Sequence, residues 1–87
     1  MPPMKKNFKR QLTAFDKDYA KAENAGKALV AEKSVGVHKR QLRTALLYRE
    51  QVELHVKEML SKGASELQIE AYLMAARKMF RGYLGIK

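Results

Sequence analysis

Two histidines, His38 and His55, are the side chains best suited to proton or metal chemistry, and they stand seventeen residues apart. Neither belongs to an HxxxH spacing that would set two ligands on one helical face. Glu50, Glu53 and Glu58 read as ion-pair partners of Arg49, Lys57 and Lys62. A carboxylate pair for general acid–base work would need burial that a chain of 87 residues can hardly provide. With no cysteine, thiolate nucleophiles, zinc–thiolate sites and disulfides are all excluded. Neither a glycine-rich phosphate loop nor a GxSxG elbow occurs. The expectation is a protein that is not an enzyme, with no catalytic residue, no metal and no cofactor.

The remaining chemistry is cationic. Eighteen Lys and Arg against nine Asp and Glu give a formal charge of +9 and a pI near 10.0, which makes polyanions the natural partners. The charge is segregated along the chain. Residues 1–10, 25–44 and 71–87 carry +4 each, while 11–24 carry −1 and 45–70 carry −2. The expected nucleic-acid-binding residues are Lys39, Arg40 and Arg43 from the middle basic block and Arg77, Lys78 and Arg81 from the last. Lys5, Lys6, Lys9 and Arg10 of the N-terminal block are added to them. Such a set suits a phosphate backbone, where each neutralised phosphate releases counterions. Tyr48 or Tyr83 is placed to stack on an exposed base.

These residues must be positioned by helices. Strand-like alternation is confined to residues 34–37, whereas Phe8, Leu12, Phe15, Tyr19 and Ala22 recur at helical spacing on one face. Asn24-Ala25-Gly26 weakens the first helix, and 34–37, with Gly36 as terminator, is the expected first connection. A second helix is expected over about 38–62, with Leu42, Ala45, Leu46, Val52, Val56, Met59 and Leu60 on its main apolar face. Gly63 ends it, and Ser65 with Gln68 forms a capping box that opens the third. Gly85 closes that helix and turns Ile86 back toward Phe80. The fold class is all-α: one domain over 1–87, a small bundle of three helices, or four if the first breaks, with a C-terminal antiparallel helical hairpin. Residues 1–7 are expected to form a disordered basic tail. An antiparallel arrangement would bring the cations of 39–43 and 77–81 to one end.

The stretch 30–46 resembles a helix-turn-helix unit, with a Gly-Val turn followed by a basic helix start and Leu and Ala-Leu core positions. This resemblance implies that Lys39, Arg40 and Arg43 face a major groove, with Gln41 against an adenine edge.

More apolar surface is present than three stripes require. Leu47 and Leu54 lie off the main face of the second helix, and Leu67 and Met74 make a second ridge on the third. These four are the expected partner interface, for an acidic protein surface or for a homo-oligomer, most simply a two-fold dimer. A membrane-surface role for Phe8, Leu12 and Phe15 beside the first lysines is a lesser alternative. No transmembrane run is present, and residues 1–15 lack the apolar stretch of an export signal. The function expected is that of a small basic nucleic-acid-binding accessory or regulatory factor, DNA favoured over RNA, in the cytoplasm or inside a virion. The alternative is a helical protein-interaction module: an adaptor, inhibitor or virion component.

Overall fold

The computed structural model describes residues 6–86, with side chains from Phe8 onward. The expected basic tail therefore falls outside the described side chains, Lys5 and Lys6 included. Three helices pack together: α1, Lys6–Gly26; α2, Glu32–Ser61; and α3, Glu66–Leu84. The described residues contain no strand, as the periodicity requires.

Each helix contributes one apolar stripe to a common core. Phe8, Leu12, Phe15 and Ala22 come from α1, Ala45, Val52 and Val56 from α2, and Ile69, Leu73, Ala76, Phe80 and Leu84 from α3. The Phe15 and Phe80 rings meet at 5.0 Å between centroids with a 44° tilt, joining the middle of α1 to α3. Full burial of each such ring contributes roughly 1.5–3 kcal/mol. Since Phe8 and Phe15 are fully buried and Leu12 nearly so, the α1 stripe is core. That overturns the alternative in which it attaches to a membrane.

The local stop signals around α3 act as their residues require. Gly63 has φ 79°, Ser65 accepts from the Gln68 backbone N–H, and the Gln68 side chain accepts from the Ser65 N–H. Gly85 takes φ 73°, and the Ile86 N–H donates to the Arg81 carbonyl while the side chain packs on the core.

The start of α2 differs from the sequence expectation. Residues 34–37 are helical, Gly36 lies inside the helix, and the connection is instead 27–31, following directly on Gly26. Gly36 costs roughly 1 kcal/mol of helix propensity, too little to break a helix that continues for 30 residues. It follows that 30–46 contains no helix-turn-helix: 32–46 is one uninterrupted helix.

Gly26 has a second role. A Cβ there would overlap the His38 imidazole, so the absence of a side chain allows the end of α1 to lie against α2. Ala22, Gly26, Leu29, His38, Leu84 and Ile86 line one hollow. The last turn of α1, the first turns of α2 and the C-terminus of α3 thus meet at one end of a molecule 48 Å long.

Gly26→Ala should lower stability by about 1–3 kcal/mol, the usual cost of overpacking, even though alanine favours helix. Adding His38→Ala should recover most of that loss. Denaturant midpoints of the two single variants and the double variant check this, and an unchanged Gly26→Ala midpoint would contradict it.

Candidate nucleic-acid interface

α1 and α3 are tied by one ion pair. Asp18, only 7% exposed, accepts from Arg77 Nε at 2.9 Å and from Nη2 at 3.3 Å. A buried carboxylate needs such a partner, and a guanidinium fork supplies it with two parallel hydrogen bonds. The same hydrogen bond holds the Arg77 guanidinium above its ordinary pKa, opposed by partial desolvation. Arg77, expected as a phosphate ligand, therefore spends its fork inside the protein.

Around this pair the surface is basic. On α1, Arg10, Ala14, Lys17, Lys21 and Ala25 follow one another at steps of four, three, four and four, a single row on the helix. Lys21 and Ala25 line a hollow with Leu84 and Gly85, which sets this row against α3. On α3, Met74, Arg77, Lys78 and Arg81 line another open hollow together with Ala75. Arg10, Lys17, Lys21 and Lys78 are exposed, and Arg81 is half-buried with an Nε that makes no hydrogen bond.

Acids are sparse along these rows, Glu70 standing one turn before Met74 on α3. Residues 74–85 contain none. Asp16 turns to α2, where it meets Arg49 Nε at 2.7 Å. Glu23, five residues beyond Asp18, lies about 140° further round the helix.

Five of the six cations expected to form one patch line two different hollows. Lys39 and Arg43 line a hollow with Tyr19, Leu42, Leu46, Leu47 and Glu50, while Arg77, Lys78 and Arg81 line the one on α3. The two hollows share no lining residue, and Arg40 is exposed on α2. Lys9 is exposed near the start of α1, where its carbonyl accepts from the Thr13 hydroxyl. Lys17 and Lys21 were not among the expected residues. Their signal was present in the sequence as the row through Arg10, but a charge count over 11–24 hides it, because Asp16, Asp18 and Glu23 cancel them in number while occupying other faces.

Three of the tyrosines pack against rings of the neighbouring helix. Tyr48 lies 5.2 Å from Tyr83 and donates its hydroxyl to Met79 Sδ, and Tyr72 lies 4.5 Å from His55. Burial pushes the phenols of Tyr48 and Tyr72 above the usual value near 10. Leu47 and Leu54 stand exposed on α2, and Leu67 and Met74 on α3, so the four partner residues form two ridges on separate helices. Leu46 is 42% exposed rather than part of the core stripe.

Among the described residues no cluster of three His, Asp or Glu could hold a metal ion, and no helix is long and apolar enough to cross a membrane. Comparison with protein-family models, with curated proteins and with solved structures finds no match to this chain.

Two outcomes follow from these contacts. Asp18→Asn should cost about 1–3 kcal/mol, below the full value for breaking a buried ion pair because the Arg77 side chain is 43% exposed. Arg77→Ala should cost more, since it leaves Asp18 buried and unpaired, and the double variant should recover part of the difference. A denaturation cycle in which the effects simply add would contradict this. In the alkaline range, folding holds the Tyr48 and Tyr72 protons more tightly than the unfolded chain does. The contribution of these two phenols to stability is therefore constant below about pH 10 and falls as pH rises beyond it. Phenolate absorbance should lag that of the denatured chain, and the lag should shrink in Tyr48→Phe with Tyr72→Phe.

Proposed function

We propose that this protein binds nucleic acid through the phosphate backbone, acting as a small accessory or regulatory factor in the cytoplasm or inside a virion. The observation that carries the reading is the row Arg10, Lys17 and Lys21 on α1 beside Lys78 and Arg81 on α3, with the acid between them, Asp18, already neutralised by Arg77. The architecture belongs to the same proposal: an up-down-up bundle whose α2 and α3 form an antiparallel hairpin. The pairs Tyr48–Tyr83 and His55–Tyr72 support it, because the α3 partner recedes as α2 advances. The pairs Asp16–Arg49 and Gly26–His38 give α2 the same reversed sense against α1.

This surface reads charge rather than sequence. The cations stand on rigid helices, Tyr48 and Tyr72 are half-buried, and the more exposed Tyr83 packs on Tyr48, so backbone contact dominates and stacking contributes little. Duplex DNA is the substrate taken here over RNA. The cations of α2 add long-range attraction from another face. A second reading, a protein-interaction module that binds an acidic partner, draws on the 78% and 72% exposure of Leu67 and Met74.

Binding to random duplex DNA tests the proposal. Five phosphate contacts give a slope of about −4 to −5 in log K against log salt. Lys17→Glu with Lys78→Glu should weaken binding by about tenfold or more at low salt, and Lys39→Glu with Arg40→Glu distinctly less. Equal losses would move the interface to α2, and absence of binding at low salt would end the nucleic-acid reading.

A further inference from the structure

The outer face of α2 carries a row that is complementary to itself. Arg43, Leu47, Leu54 and Glu58 follow at steps of four, seven and four, all exposed, with Leu47 at 57% and Leu54 at 60%. Leu54 lies nine residues beyond the fully buried Ala45, which is half a turn away and directly outward. Read backwards, the row exchanges its ends: a cation at one end, an acid at the other, and two leucines placed symmetrically between them. A two-fold interface demands this property, because each residue must meet its counterpart on an identical surface.

We infer that a second copy of this chain docks on this face, with the two α2 helices antiparallel about an axis between Glu50 and Gln51. Leu47 then meets Leu54 of the second copy, and Arg43 meets its Glu58, each contact occurring twice. In the single chain Glu58 holds Lys62 at 2.8 Å, and this hydrogen bond keeps its carboxyl below the usual carboxylate range. Glu58 thus arrives charged and able to accept from Arg43 as well. Glu50 works against the contact, since the axis brings it close to its own counterpart. Two leucines per copy, and a net charge of +9 on each, place the dimer among small, weak interfaces.

The consequence rests on the function proposed above. The cationic rows lie on α1 and α3, and α2 turns its outer face away from both. A pair joined back to back through α2 therefore presents two basic surfaces on opposite sides and links two duplexes.

Sedimentation of the protein without nucleic acid, combined with cysteine cross-linking, tests the dimer apart from that function. Leu54→Glu should abolish association. Arg43→Glu and Glu58→Arg should each weaken it several-fold, the two together should restore it, and Glu50→Gln should tighten it. Because the chain has no cysteine, the register can be read directly: Leu47→Cys mixed with Leu54→Cys should form a disulfide. Leu47→Cys alone should not, its two copies lying about 10 Å apart along the axis, beyond disulfide reach. A monomer at millimolar concentration, or failure of the charge exchange to restore association, overturns the inference. Bridging is read by capture of a labelled duplex on an immobilised one. A Leu54→Glu chain that binds DNA but no longer captures the second duplex supports it, whereas undiminished capture overturns the α2 interface. Loss of DNA binding by the unaltered protein would instead fault the nucleic-acid reading.

Discussion

The Asp18–Arg77 pair is the constraint on which the surface of this protein depends. A carboxylate at 7% exposure is tolerable only with a charged partner in good geometry, so wherever α1 packs, Arg77 must be able to reach it. This fixes the register between α1 and α3 within about a turn, and the Phe15–Phe80 contact, three residues away on both helices, agrees with it. The pair also removes one positive and one negative charge from the field. What remains beside it is cationic, which is why the same interaction that locks two helices also defines where a polyanion meets least repulsion.

Local rules were legible in the sequence wherever the backbone itself needed a special residue. Gly63 and Gly85 adopt positive φ, and the Ser65–Gln68 box satisfies two N–H groups that no helix can pair internally. These demands do not depend on the rest of the fold. Gly36 looked similar but answers no such demand. Its helix cost of roughly 1 kcal/mol is spread over a long α2 whose following turns are held by Ala45, Val52 and Val56 in the core. The break falls at 27–31, next to the close approach of Gly26 to the His38 ring. That contact joins two residues twelve positions apart and leaves no mark in either segment alone.

The candidate site was legible in kind but not in arrangement. Charge summed over segments identified 71–87 as basic and dismissed 11–24, yet Lys17 and Lys21 stand exposed on α1, with Lys21 lining a hollow with the end of α3. Segment sums average around the helix, whereas a ligand meets one face of it. Face assignment needs the position of each helix relative to its neighbours, which here turned on Asp16 choosing Arg49 on α2 and Asp18 choosing Arg77 on α3. Two acids two residues apart, about 200° around the helix, strip negative charge from two different grooves.

Three packed helices leave each one an outward stripe, and here the stripes differ in chemistry. That of α1 is lysine and arginine, that of α3 mixes Met74 with Lys78, and that of α2 sets two leucines between a cation and an acid. The apolar excess noted in α2 and α3 is therefore not one patch divided by chance. Met74 lines a hollow with Arg77, Lys78 and Arg81, where the chain's own charge repels a second copy, while Leu47 and Leu54 lie between Arg43 and Glu58, where it does not. The dimer proposed above would therefore form on α2, where opposite charges flank an apolar row, and would leave the α1 and α3 rows open to the polyanion proposed for them.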